Sequence, residues 1–304
     1  MVNEKEINAL ISLLDDTDEE IISHVTSKLL NYGYEVLPLL EDRYLAETEK
    51  LLQSRIHSII DQIHHSSLRV DLSEWCRSGG RDLFEGFFLL AKFRYPELNR
   101  QVINNQLDKI KLDAWLELNF QLASLDKVRI LNYIIYDVHG FKGNIEEYHS
   151  PDNSFINRVL ETKKGNPISL AILYSIIAQR LNIPVFGVNL PQHFILAYKD
   201  DSLLKDSTSF KGNVYMDHDI PGEIFFYINA FNKGAVFNKW NIDQFLKQLN
   251  IKPQIIYYEP CSNIDILMRV CRNLIFSYEK LNDMERVEGL KELLMIMQPY
   301  ASLP

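Results

Sequence analysis

Residues Lys163 to Tyr198 read KKGNPISLAILYSIIAQRLNIPVFGVNLPQHFILAY. Asn166 is a good helix N-cap, and Pro167 suits the first helical position, where its missing N–H has no intrahelical partner to lose. From Pro167 to about Asn182 the apolar residues leave almost no polar face, which predicts a helix enclosed by protein. Pro184 ends it. Two β-branched and aromatic runs follow, PVFGVNL and HFILAY, and read as strands. Downstream, EIFFYINAF predicts another strand. Asn232-Lys233-Gly234 then turns the chain into AVFNKW.

The rest of the chain is read mainly as helix. Thr17-Asp18-Glu19-Glu20 has the spacing of a capping box, with Ile21, Ile22, Val25, Leu29 and Leu30 following at helical intervals. The same acidic run lacks the central glycine and ligand alternation of a calcium loop. Further helices are expected over 35–44, 45–63 (closing on His64-His65), 81–93, 97–122 with a break near Lys109–Leu112, 125–136 capped by Ser124, and 155–162. Two more follow from Leu267 and over 284–297. Asp200 to Gly222 reads as a polar, irregular insertion.

The chain has 304 residues, a formal net charge of −9 and 46% hydrophobic residues. That length builds a core without covalent staples. The acidic balance argues against nucleic-acid binding, which needs basic surface. The uncharged stretch from Ile168 to Gln179 is shorter than the roughly 20 residues of a membrane span. MVNEKEINAL has no basic region followed by an apolar stretch, so no secretory signal is expected. Cys76, Cys261 and Cys271 form no CxxC pair, which leaves no disulfide framework or thiolate metal site, and a cytoplasmic setting is expected. The loop group Asp217, His218, Asp219 and Glu223 has no metal-ligand spacing. No GxGxxG, phosphate-loop or nucleophile-elbow motif occurs, so no metal and no cofactor are expected.

GNPISLA at the helix start, LPQHF before the strand and FFYINAFNKG beyond it resemble the SirB-type family of the transglutaminase-like superfamily. WLELNFQLASLDKVRILNYIIYDVHGFKGN, from Trp115 to Asn144, is similar to the segment that precedes the core in such proteins. The resemblance runs from about Leu112 to the C-terminus. It implies an α+β, predominantly helical protein in three parts: a helical HEAT-like region over 1–110, a transglutaminase-like, papain-like core with a small antiparallel sheet over 111–260, and a tetratricopeptide-like helical hairpin over 261–304.

Superfamily enzymes place a cysteine at the N-terminus of the central helix, where the helix dipole and a histidine favour the thiolate. Here Ala171 matches the helix alanine and Ile183-Pro184 the break after the helix. The nucleophile position then falls on Pro167. His193 matches the histidine, and Asn229 the residue that orients it. Ser169 is the nearest alternative nucleophile, but it lies about 200° further round the helix than residue 167. Its alternative is a small helix residue bonded back to the backbone. Cys261 and Cys76 are alternatives that tertiary folding would have to bring to His193.

Three readings follow. The first is a non-catalytic module that keeps the cleft for a protein or peptide partner, with Asn166, Pro167, Gln192, Phe231 and Asn232 lining it. The second is a hydrolase or acyl transferase with a relocated nucleophile near His193. The third is a structural helical scaffold. None involves nucleic acid or membrane.

Overall fold

The computed structural model describes residues 3–119, 121–199 and 223–302. The expected insertion at Asp200–Gly222, with Asp217, His218 and Asp219, lies outside them. The chain forms two compact units, Met1–Asp71 and Leu72–Pro304.

The first unit holds α1 (Glu4–Ser12), α2 (Glu19–Tyr32), α3 (Leu37–Ala46) and the greater part of α4 (Lys50–Arg77). Ile7, Ile11, Leu14, Leu29, Val36, Leu40, Ile56 and Ile63 close its core. The cap of α2 is Asp18, whose Oδ1 accepts from Glu20 N at 2.9 Å, and not Thr17. A side chain one residue nearer the helix start meets the orphan donors directly. His64 and His65 lie well inside α4 and do not end a helix. No glycine or proline interrupts that segment, so nothing stops propagation there.

The second unit begins with α5 (Leu83–Lys92), α6 (Arg100–Glu117) and α7 (Ser124–Asn132). Helix α6 is unbroken through Lys109–Leu112, because Ile103, Leu107, Ile110 and Ala114 keep one buried stripe across that point. Ser124 is the first residue of α7 and Ala123 stands at the cap position, without a side-chain hydrogen bond. A wide turn of π type (Tyr133–Val138) follows.

Two short strands, β1 (Lys142–Gly143) and β2 (Lys164–Gly165), then pair in parallel, with α8 (Ile156–Thr162) between them. Next comes α9 (Pro167–Arg180), in which every residue from Ile168 to Ala178 is buried.

The main sheet has the order β3-β4-β5-β6 and is antiparallel throughout: β3 (Val185–Val188), β4 (Ile195–Lys199), β5 (Ile224–Asn229) and β6 (Ala235–Phe237). Val188 pairs with Ile195 and Leu196 with Ile228, and the register shifts between Tyr198 and Lys199. Side chains alternate across this sheet. Ile195, Ala197 and Tyr227 pack on Ile242 and Leu246 of α10 (Lys239–Gln248). Helix α9 packs on β3 and β4 away from that cluster. The second unit closes with α11 (Asn263–Lys280) and α12 (Met284–Met297), packed on each other. Among the described residues no helix is long and apolar enough to cross a membrane.

The turn after β5 is locked from the helical side. Tyr174 of α9 donates to Asn132 Oδ1 at 3.0 Å, Asn132 Nδ2 donates to Gly234 O at 2.9 Å, and Tyr136 donates to Ala230 O at 2.8 Å. Gly234 has φ +70°, and a Cβ there would lie 1.9 Å from Asn132 Oδ1. Gly234→Ala therefore combines a left-handed backbone with a clash against an anchored amide. Urea titration is expected to show a loss of about 2–4 kcal/mol, against under ~1 kcal/mol for alanine at a tolerant surface site.

Candidate functional site

The N-terminus of α9 is where a superfamily nucleophile would stand, and side chains already answer two of its backbone donors. Asn166 is extended, with φ −89° and ψ 174°, and its Oδ1 accepts from Ser169 N at 2.9 Å. Ser169 Oγ in turn accepts from Asn166 N at 3.0 Å and lies 3.2 Å from Asn166 O, to which it donates. This reciprocal capping box leaves Ser169 fully buried. Its hydroxyl is committed to the backbone, as the alternative reading of Ser169 has it.

A chain of buried amides supports the cap from behind. Asn166 Nδ2 donates to Ser154 Oγ at 2.8 Å. Asn153 Nδ2 donates to Glu147 O at 2.7 Å, and Asn153 Oδ1 accepts from Asn144 Nδ2 at 2.9 Å. Asn144 N donates to Gly165 O at 2.9 Å, continuing the β1–β2 pairing. These groups are buried and matched donor to acceptor, which is the condition for polar side chains to stabilise an interior. Pro167 follows the cap, partly exposed, with no group able to attack an acyl carbon.

His193 sits just ahead of β4. Gln192 before it is exposed and takes a left-handed φ of 58°, and His193 N donates to Leu190 O at 3.1 Å. The imidazole packs on Phe245 of α10, ring centroids 4.8 Å apart, which puts it on the α10 side of the sheet. Among the described residues it has no hydrogen-bond partner. Partial desolvation, and then the charge of Arg269, hold its pKa below the ordinary histidine value. Asn229 does not reach it by a hydrogen bond. The Asn229 Oδ1 instead accepts from Phe231 N and Asn232 N, both at 3.1 Å, and caps the turn after β5. Pro167, His193 and Asn229 thus each serve a different local structure.

The three thiols are buried. Burial pushes Cys76 up to about 11, and Cys261 and Cys271 up to about 12. Cys261 Sγ donates to Gly187 O at 3.4 Å.

Tyr148, His149, Phe276 and Arg269, none of them among the expected site residues, complete the surroundings of Phe231. Phe231 lies against Gly143, where an added Cβ would sit 2.5 Å from its ring, and meets Tyr148 edge-on at 6.1 Å. Tyr148 meets His149 at 5.3 Å, and His149 meets Phe276 of α11 at 5.6 Å. Arg269 of α11 donates to Asn189 Oδ1 and, at 2.8 Å, to Leu190 O, the carbonyl that also receives His193 N. Nothing in the local sequence marks these residues, because their partners lie on other elements. Asn232 is exposed beside Phe231. His139 is paired with Asp113 at 2.8 Å, away from this group.

A buried helix capped at its N-terminus, set on an antiparallel sheet with a histidine leading the second strand, is the plan of one superfamily. The profile of the transglutaminase-like superfamily matches residues 101–272, and the chain belongs to that superfamily. It is similar to a UPF0162 protein of Xylella fastidiosa (strain 9a5c), 27% identical over 213 residues, which are 69% of this chain and 70% of that protein. The UPF0162 protein YchA of Escherichia coli is 25% identical over 221 residues, 71% of this chain and 74% of its own length. A shorter stretch of 83 residues is 39% identical to F-box only protein 21 of Homo sapiens, 27% of this chain and 13% of that protein. No solved structure matches the chain.

The thiol environments give a direct expectation. At pH 8, pKa values of about 11 and 12 leave on the order of one thiolate in 10³ for Cys76 and one in 10⁴ for the others. A disulfide reagent added to the native protein should therefore release colour only slowly, and release all three equivalents once denaturant is added. A thiol that reacts at once in the native state contradicts the assignment. Asn166→Ala removes the cap and leaves Ser154 Oγ and Ser169 N without partners, and should cost about 1–3 kcal/mol in the same urea assay.

Proposed function

We propose that this chain is a non-catalytic member of the transglutaminase-like superfamily that binds a protein or peptide segment beside the start of α9. Within the superfamily we group it with the SirB-type proteins, on GNPISLA and LPQHF. We take its leading helices as HEAT-like and its closing pair as a tetratricopeptide-like hairpin, with the core spanning about 111–260.

The observation that carries this reading is Pro167 in the nucleophile position, held by a complete capping box. An acyl-transfer enzyme of this plan needs a thiolate there, within reach of an imidazole. Here the helix start is closed by its own side chains, the three thiols are buried, and the imidazole packs against α10. The surface around the start of α9 retains what a binding site uses. Tyr148 and Phe276 are 45% and 49% exposed, and Ile145 is 78% exposed, beside the half-buried Phe231. Exposed aromatic rings joined through His149 supply apolar area at small conformational cost, as binding hot spots do.

Two measurements test the reading together. Activated ester and amide substrates should turn over no faster with the protein than in buffer, and equally slowly with His193→Ala. A rate that the protein raises and His193→Ala abolishes would sink the proposal. An array of short unrelated peptides should give selective spots that fade with the double variant Tyr148→Ala and Phe276→Ala. A blank array also counts against it.

A further inference from the structure

Helix α11 has an outer stripe whose charges have no carboxylate counterpart among the described residues. Arg269, Arg272, Phe276 and Lys280 are spaced by three, four and four residues, so they fall within one narrow sector of the helix. Several other cations of this unit are matched by carboxylates: Arg100 with Glu85, Arg158 with Asp152, Arg180 with Asp108, Arg286 with Asp283 and Lys291 with Glu288. Among the described residues Arg269, Arg272 and Lys280 have no carboxylate within ion-pair distance.

Arg269 is half buried. It spends one nitrogen on Asn189 and Leu190 and lies 5.7 Å from the centroid of the Phe194 ring. Burial lowers its pKa, the nearby Cys261 and Tyr148 offset part of that, and neither is a carboxylate. Lys280 Nζ lies 4.4 Å from the centroid of Phe276. The stripe meets the aromatic ledge through His149, which touches both Phe276 and Tyr148. The nearby loop contributes Glu146, but that carboxylate is turned to Lys164 at 3.3 Å.

We propose that the stripe Arg269, Arg272, Phe276 and Lys280, with Tyr148 and His149, is the docking surface for an acidic peptide segment carrying at least one apolar side chain. The proposal rests on the binding reading above and adds the chemistry of the partner. Charge complementarity selects the acidic residues, since each carboxylate meets a cation that this chain leaves unmatched. The apolar residue is selected by the exposed faces of Tyr148 and Phe276. The net charge of −9 opposes any polyanion away from this stripe, so the contact is confined to a short segment, and the displacement test below separates a peptide from a nucleic acid. Arg272 and Lys280 are exposed, so they govern encounter rate and salt dependence more than tight final affinity.

The test is fluorescence anisotropy on the full chain. The probe is a labelled peptide of alternating glutamate pairs and single leucines, with matched peptides carrying glutamine or lysine pairs as controls. The glutamate peptide should bind best and weaken several-fold as salt rises from about 50 to about 300 mM. Arg272 and Lys280 are exposed, so Arg272→Glu with Lys280→Glu should leave the melting temperature in place. The double variant should lose roughly tenfold in affinity for the glutamate peptide and gain affinity for the lysine peptide. Equal binding of all three peptides, or an unmoved affinity in the double variant, overturns the acidic-partner proposal. In that event, array peptides still lost with Tyr148→Ala and Phe276→Ala keep the binding reading standing. An oligonucleotide or anionic vesicle that displaces the glutamate peptide at lower concentration also overturns it.

Discussion

The closed N-terminus of α9 sets the terms for everything around it. A helix buried on all sides from Ile168 to Ala178 has nowhere to send its first N–H groups except to protein. Asn166 and Ser169 answer two of those donors reciprocally, Pro167 removes a third by having no N–H, and Ser154, Asn153 and Asn144 hold the cap in register with the β1–β2 pair. An unmatched amide at that depth costs about 1–3 kcal/mol. The same completeness makes the position unsuited to nucleophilic chemistry. A catalytic thiolate would draw on the helix dipole and a nearby imidazole, and here the helix start carries Pro167 and its cap instead.

The sheet carries this logic further. Alternation sends Ile195, Ala197 and Tyr227 toward α10, and His193 follows them through its contact with Phe245. Asn229 ends β5 as a turn cap, and the turn it caps presents Phe231 to Gly143 and Tyr148. Pro167, His193 and Asn229 thus take part in three different local structures: a helix start, a contact with α10 and a turn cap. Together they bring an aromatic ledge and the outer stripe of α11 next to one another. The proposed function rests on Pro167 at the helix start and on the contact surface beside it.

Much of the architecture was legible in the chain. The order of α9, β3, β4, β5 and β6 was readable from an all-apolar helix, the proline stop at Pro184 and strand runs rich in β-branched and aromatic residues. Helix ends were less so. Asp18 rather than Thr17 caps α2, because adjacent residues of similar chemistry compete and only backbone geometry selects between them. Helix α4 runs past His64-His65, since two histidines are a weak stop where no glycine or proline follows at once. Helix α6 keeps its line through Lys109–Leu112 on the strength of its buried stripe.

The site divides along the same seam. Sequence by itself determined that Pro167 stands at the start of a buried helix and that no thiol lies there, because helix capping and the identity of a side chain are local matters. It also determined that Ser169 sits on a different side of the helix from residue 167. Only the tertiary structure decided that His193 packs on α10 and that Asn229 caps a turn. It likewise decided that Arg269 shares Leu190 O with the residue ahead of β4, and that Tyr148, His149 and Phe276 meet. Those contacts join residues far apart in the chain, and no local pattern encodes which distant side chain will arrive.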